Sequence, residues 1–274
     1  MATGGPIAWK LLSVAHLFFL GISVGAFFLS TLPYVFHVKQ YNPLGKLMLC
    51  TSLMTLLPAL LLLVLSLSSM MTWVIWLYGA YTLILVGQVR LAIRERGVGR
   101  DRQVVRMLGI IGVVVTLPLL TGSGMIPGLF PMTFLVSTLL SGGALVVCLS
   151  PLVIKDGWAL RETVSELAGL VGALLTFELL ALLAEVLVAL GSGIPSHIAT
   201  IWMILAGPAP WIFWGLQIVA GALVPLLLLF RGPRVSLKAS AIACFFILVG
   251  VFAFLLNGVN TQPSLMGRGT SGVA

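Results

Sequence analysis

Long apolar runs, separated by short polar connections, dominate the hydrophobic pattern of this chain. A helix needs about 20 mostly apolar residues to cross the hydrocarbon core of a bilayer. Run length, helix breakers and charged residues therefore predict an all-α, polytopic membrane protein with a single transmembrane domain over residues 1–274. Eight transmembrane helices are predicted, at residues 8–31, 47–67, 70–92, 105–121, 127–150, 163–190, 208–230 and 237–257.

The composition agrees with burial in lipid, because 60% of the residues are hydrophobic and only 8% are charged. This balance excludes a soluble protein. The first apolar run is longer than the core of a signal peptide, and no small-residue cleavage site follows it. We therefore expect the first run to remain in the protein as a membrane span.

The net charge of +8 is explained by the membrane and not by nucleic acid, because the basic residues concentrate in alternate connections. Cytoplasmic connections of membrane proteins are enriched in Lys and Arg. The pattern predicts a multi-pass protein of the cytoplasmic (inner) cell membrane with both termini outside the cytoplasm. Thirteen of the 15 basic residues lie on the predicted inner side: Lys39, Lys46, Arg90, Arg94, Arg96, Arg100, Arg102, Arg106, Lys155, Arg161, Arg231, Arg234 and Lys238.

The first span contains one histidine and two spaced glycines in the run VAHLFFLGISVGAFF. Ionisable residues inside the membrane usually face the bundle interior, so His16 either contacts a ligand or makes an interhelical hydrogen bond. Gly21 and Gly25 have the G-x-x-x-G spacing that lets a second helix backbone approach closely. We therefore expect helix packing at both glycines.

Two carboxylic acids lie in the sixth span. Glu178 and Glu185 are seven residues apart, which places them on nearly the same helix face, about 10 Å from each other. Because protonatable carboxyl groups inside membranes serve in proton relays, one hypothesis is a proton path through both. The alternative is that each is neutral and hydrogen-bonded between helices, or that Glu185 reaches headgroup water. His16 and Glu185 lie at similar predicted depth, which suits a quinone whose redox reaction moves protons with electrons.

Other cofactors lack suitable ligands in this sequence. His16, His37 and His197 are the only histidines, and the last two lie near span ends, so we expect no bis-histidine haem. The three cysteines are scattered over separate spans, and the sequence contains no nucleotide-binding loop. We expect no haem and no metal on this chain, so any electrons must come from a partner subunit.

A weak internal repeat relates residues 1–122 to residues 123–274. Trp73 and Trp76 open the third predicted span, and Trp211 and Trp214 open the seventh with the same spacing. Such a repeat is parallel, with its axis along the membrane normal. The simpler interpretation is that these tryptophans are interfacial anchors. Between spans six and seven, residues 191–210 are long enough to form a surface helix.

Several motifs follow one another in an order that is typical of a known family. The chain resembles the NrfD/PsrC-like, polysulfide reductase-type membrane subunits of molybdopterin and iron-sulfur oxidoreductase complexes over most of its length. The motifs are AHLFFLGISVGAFF in the first span, SMMTW at 69–73, LTG at 120–122, IPGLF at 126–130, PMTFLVSTLLSGGA at 131–144, FELLALL at 177–183, FW at 213–214 and LVG at 248–250.

This resemblance implies an eight-helix bundle that binds a quinone, menaquinone or ubiquinone, near its outer face. It also implies electron exchange with a ferredoxin-like four-cluster iron-sulfur subunit, which in turn serves a molybdopterin-type catalytic subunit. The quinone contacts that it implies are His16, Trp73, Thr121 and Gly122. Where the family usually has a tyrosine before Thr-Gly, this chain has Leu120, and the outer loops after spans two and four are short. The quinone site that the resemblance implies therefore lacks one hydrogen-bond donor on its wall.

Three functions fit the sequence. The first is a membrane-anchoring, quinone-interacting subunit of a respiratory oxidoreductase complex, with electron exchange and proton movement. The second is an anchor or proton-conducting subunit without a quinone site of its own. The third is an ion- or solute-coupled transporter that uses Glu178 and Glu185. On the first interpretation the chain is not catalytic alone, because catalysis belongs to the complex.

Overall fold

The computed structural model describes residues 6–36, 38–65, 72–94, 99–124, 131–153, 158–207, 209–230 and 236–260. These ranges are almost entirely helical and contain no strand, as predicted. A short 3-10 turn, Lys39–Tyr41, precedes the second helix, and a π-helical segment, Ile212–Leu223, precedes the eighth. The α-helices are α1 (Pro6–Tyr34), α2 (Asn42–Leu65), α3 (Thr72–Arg94), α4 (Gly99–Gly124), α5 (Pro131–Val153), α6 (Trp158–Gly191), α7 (Pro195–Ala206), α8 (Val224–Leu229) and α9 (Leu237–Asn260).

Eight helical segments in these ranges are long and apolar enough to cross a membrane, which confirms the predicted number. The second span begins at Asn42 and not at residue 47, because Asn42 and Pro43 form a helix start that a count of apolar residues ignores. The segments are Leu11–Tyr34, Asn42–Leu65, Trp73–Arg94, Gln103–Thr121, Thr133–Val153, Leu160–Gly191, Ile212–Leu229 and Leu237–Val259.

The sixth and seventh spans are connected by a surface helix, as expected for residues 191–210. The sixth span has 32 residues, about 48 Å at helical rise, which exceeds the roughly 30 Å hydrocarbon core. The indole N–H of Trp214 donates to the carbonyl of Leu205 at 3.1 Å, so it fixes α7 on the start of the seventh span.

The side chains of Trp76 and Trp211 are 78% and 62% exposed, as suits interfacial anchors.

The seventh span changes helix type along its length. The backbone N–H of Val224 donates to the carbonyl of Val219, five residues earlier, which is the π-helical pattern. Pro225 then lies in the first turn of α8, where a missing backbone N–H is tolerated. Since π-helices are rare and are frequent at functional sites, this segment is a candidate part of such a site.

The helix α1 lies at the centre of the bundle, where it packs against α2, α4, α5 and α9. In the first half of the chain, α1 packs on α2 and α4, and α3 packs on α4. In the second half, α5 packs on α6 and α9, and the π segment packs on α9. This correspondence is what a parallel repeat of residues 1–122 and 123–274 would produce. The repeat itself stays a prediction.

Two apolar clusters fill the bundle on either side of α1. One joins α1 to α2, α3 and α4 around Phe27, Tyr78 and Tyr81. The other joins α1 and α2 to α5, α6 and α9. Leu120, at the position where the resembled family usually has a tyrosine, is 2% exposed in the first cluster. This position is therefore part of the apolar core.

Close backbone contact at glycines holds the two halves together. A Cβ atom on Gly25 would lie 1.8 Å from the carbonyl oxygen of Thr138 in α5, and one on Gly142 would lie 2.2 Å from the nitrogen of Ala26. The helices α1 and α5 therefore touch through their backbones, as the G-x-x-x-G spacing suggests. Gly21 is less confined, because its Cβ atom would meet only the γ-methyl of Thr138, at 3.4 Å.

We expect the substitution Gly25→Ala to destabilise the protein by about 3 kcal/mol or more, because α1 and α5 must separate to admit the methyl group. Gly21→Ala is the matched control, since its added methyl group makes an ordinary contact. Thermal unfolding of both variants in one detergent measures the difference. Equal melting temperatures for the two variants would contradict the packing described here.

Candidate functional site

The side chain of His16 is 2% exposed and bonds to two neighbouring helices. Its Nδ1 atom lies 3.1 Å from the carbonyl oxygen of Ala59 in α2. Its Nε2 atom lies 2.7 Å from the hydroxyl oxygen of Tyr78 in α3. Both ring nitrogens therefore have a protein partner, about 15 Å along α1 from its first residue.

These two contacts define how the protons are placed. A carbonyl oxygen only accepts, so Nδ1 of His16 carries a proton and donates it to Ala59. In the neutral ring Nε2 is then the acceptor, and the Tyr78 hydroxyl donates to it. The Tyr78 oxygen keeps lone pairs that accept a hydrogen bond from another group.

A second set of hydroxyls lies along α1 beyond His16. The Ser23 hydroxyl donates to the carbonyl of Ser52 at 2.8 Å. The Tyr81 hydroxyl lies 3.1 Å from the Ser23 hydroxyl and 3.0 Å from that of Ser52. The edge of Phe27 packs against the Tyr81 ring, with 5.6 Å between ring centroids. This network joins α1, α2 and α3. Tyr81 lies within one turn of Tyr78 on α3.

A cavity of about 30 Å³ with a mainly apolar lining lies between α5, α6, the π segment and α9. Glu178, Thr133 and Gln217 line it together with apolar residues. The Asn257 amide donates to the Gln217 side-chain oxygen at 3.2 Å. The Thr133 hydroxyl donates to the carboxylate of Glu185, one helix turn beyond the cavity.

The structure groups some of the predicted site residues and separates others. Glu178 and Glu185, seven residues apart, lie on nearly the same face of α6. His16 lies in the other half and contacts α2 and α3, so it does not face Glu185. Thr121 is exposed, and its hydroxyl donates to carbonyls of its own helix.

The remaining two predicted quinone contacts lie at helix ends. Trp73 is 45% exposed in the first turn of α3, five residues before Tyr78. Gly122 lies in the last turn of α4. His16 therefore bonds to the backbone of α2 and to a side chain of α3, while the Thr-Gly motif lies at the end of α4.

Sequence reasoning missed Tyr78 and Thr133. Tyr78 carried a usable signal, because a phenol hydroxyl inside an apolar span needs a hydrogen-bond partner and the chain has only four tyrosines. Thr133 carried a weaker signal, since Ser and Thr in spans commonly bond to their own helix. Gln217 is recognisable from the sequence as a polar side chain inside an apolar span.

Another polar contact joins the α1–α2 connection to α6. The Gln40 side-chain amide donates to the carboxylate of Glu166 in α6. Burial raises the pKa of the neighbouring Tyr41 hydroxyl above its ordinary value, and the charge of Glu166 raises it further. Tyr41 therefore stays neutral, and its side chain packs against the apolar cluster of α5, α6 and α9.

The chemistry that both clusters offer is hydrogen bonding and proton transfer. In the described part of the chain, no three His, Cys, Asp or Glu side chains come together as metal ligands. His16 and Tyr78 form a donor–acceptor pair in the first half. Glu178 and Glu185, with their neighbouring hydroxyl and amides, form a row of polar groups in the second half.

Comparison with known proteins agrees with this architecture. The family described as "Polysulphide reductase, NrfD" matches residues 1–262. The chain is also 28% identical over 301 residues to a subunit of the selenate reductase of Mesobacillus selenatarsenatis, with 86% of this chain and 70% of that protein covered. With eight apolar helices and a match over nearly its whole length, the chain belongs to the NrfD family and is a membrane subunit of an oxidoreductase complex.

Proposed function

We propose that this protein is the quinone-interacting membrane subunit of a respiratory oxidoreductase complex. In this role it exchanges electrons between the quinone pool and a ferredoxin-like four-cluster iron-sulfur subunit, which serves a molybdopterin-type catalytic subunit. The observation that carries the proposal is the buried His16–Tyr78 pair inside a bundle of membrane helices. Ionisable side chains inside a membrane bundle commonly mark substrate, ion or proton pathways.

The residues around His16 fit a quinone. Tyr78 supplies from α3 the hydroxyl that Leu120 lacks on α4. Because its one proton is donated to His16, the Tyr78 oxygen is free to accept a hydrogen bond from a ligand. A bound quinone supplies redox chemistry in which two electrons move together with two protons.

The pair is arranged to move a proton. Tyr78 accepts a proton at its oxygen while its own proton passes to Nε2 of His16, and Nδ1 keeps its proton on the Ala59 carbonyl. The resulting imidazolium is costly at a 2% exposed position, so the proton must then leave it. His16 and Tyr78 therefore act as a transient proton acceptor and not as a permanent cation.

The partners and the orientation belong to the same proposal. The relative from Mesobacillus is named as part of a selenate reductase, and by likeness we propose that this chain also assembles with a catalytic oxidoreductase subunit. The basic residues of the inner connections support an orientation with both termini outside the cytoplasm. The quinone site then lies in the outer half of the cell membrane.

We expect His16→Ala to lower quinol-linked turnover of the native complex by about 100-fold or more, which is the usual contribution of an acid–base group. Activity with an artificial electron donor should persist, because that donor bypasses the quinone. Ser30→Ala is the matched control in α1, since its buried hydroxyl bonds only to the Phe27 carbonyl of its own helix. Full quinol turnover in assembled His16→Ala complex would overturn the proposal.

We expect Tyr78→Phe to lower quinol-linked turnover by about tenfold and to destabilise the protein by roughly 1 to 3 kcal/mol. The change removes the donor to His16 and leaves a buried nitrogen without a partner. Thr82→Val is the control, because it removes only a hydroxyl that donates to the Tyr78 carbonyl. Steady-state turnover and thermal unfolding measure the two effects, and a wild-type result in both would exclude the pair as a functional unit.

We expect a C-terminal alkaline phosphatase fusion to be active and a C-terminal green fluorescent protein fusion made through the same export route to be dark. Both results follow from a C-terminus outside the cytoplasm. Fusions after residue 97, within the arginine-rich inner connection, should give the opposite pattern. Matching patterns at the two positions would contradict the orientation.

A further inference from the structure

The cavity of the second half has the size and lining of a water site. Its volume of about 30 Å³ accommodates about two water molecules at roughly 10 to 15 Å³ each. Water also needs polar partners, and Glu178, Thr133 and Gln217 provide them. Among the described residues that line the cavity, Glu178 alone has an ionisable side chain.

A smaller cavity of about 10 Å³ lies between α1, α5 and α9. Gly21 lines it from α1, and Ser137, Thr138 and Ser141 line it from α5. Its volume is close to that of a single water molecule. The hydroxyls of Thr138 and Ser141 donate to carbonyls of their own helix, so their oxygens still accept.

Ser137 lies between the two cavities. Its side chain is 2% exposed, lines the smaller cavity and neighbours the carboxyl group of Glu178 in the larger one. Yet its hydroxyl makes no hydrogen bond of normal geometry to any protein group. A buried hydroxyl without a well-formed hydrogen bond is costly, and an ordered water at this position supplies that bond.

The larger cavity also has a polar connection toward the outer surface. Thr133 lines the cavity and donates to Glu185, which lies two turns nearer the outer end of α6 than Glu178 does. Asn257 supports Gln217 on the opposite wall. The π-helical backbone forms that wall, in keeping with the association of π-helices with functional sites.

We propose that water fills both cavities and that Ser137 connects them, so that protons pass between Glu185, Glu178 and the water of the smaller cavity. Glu178 releases a proton to cavity water on one side and takes one up through the Ser137 hydroxyl, which accepts one proton as it donates another. This path supplies a route for the proton movement that the proposed function includes, and it operates without a bound quinone. It ends beside Gly21, on the helix that carries His16.

Infrared spectroscopy of the full-length chain in lipid nanodiscs tests this path. A protonated carboxyl group gives a carbonyl band, which Glu178→Gln assigns because it removes only that group. We expect the band to shift within minutes of transfer to deuterium oxide, since water reaches Glu178. Thr133→Val should slow this exchange by about tenfold through loss of the hydroxyl step. A Glu178 band that stays unexchanged for hours, or no protonated Glu178 at any pH where the protein is folded, would overturn the proposal.

The contribution of Ser137 is tested in the same spectra. Ser137→Ala should shift the Glu178 band, whereas Ser137→Thr, which keeps the hydroxyl, should restore it. Ser150→Ala is the control in α5, because its buried hydroxyl bonds only to the Val147 carbonyl of its own helix. An unchanged band in Ser137→Ala would remove Ser137 from the path. Because no quinone is added, these outcomes are independent of whether the His16 site binds one.

Discussion

The hydrocarbon core of a membrane offers no water, so each polar group inside it must find a partner within the protein. This constraint explains the positions of the polar side chains in this bundle. His16 is bonded to Tyr78 and Ala59, Ser23 to Ser52 and Tyr81, and Thr133 to Glu185. Each of these contacts crosses between helices, so the polar groups also determine which helices meet. The buried Ser137 hydroxyl makes no such hydrogen bond within normal limits of distance and angle, although it neighbours the Glu178 carboxyl group of α6.

The close contact of α1 and α5 at Gly25 and Gly142 separates the polar groups into two clusters. With backbones in contact, only the small cavity beside Gly21 remains between α1 and α5 near this point. The protonatable histidine lies on the side of α2 and α3, and the carboxyl groups lie on the side of α6 and α9. In our proposal the first cluster serves redox chemistry, and the second moves protons past it.

The number of spans, the fold class and the family were all predictable from the sequence, because hydropathy and motif order are local properties. His16, Glu178 and Glu185 were also recognisable, since ionisable residues are conspicuous in apolar spans. The pairing of His16 with Tyr78 was not predictable, because helices that are apolar on all sides have no periodicity to show which face meets which neighbour. The π segment depends equally on tertiary packing.

Native purification of the complex, with mass spectrometry of its subunits and extracted lipids, tests the central claim most directly. We expect an iron-sulfur subunit, a catalytic oxidoreductase subunit and a stoichiometric quinone that is lost from the His16→Ala complex. A complex that contains the partners but no quinone would contradict the proposed site and leave an anchor or proton conductor. A chain that purifies alone or only with copies of itself would contradict the redox function and favour a transporter.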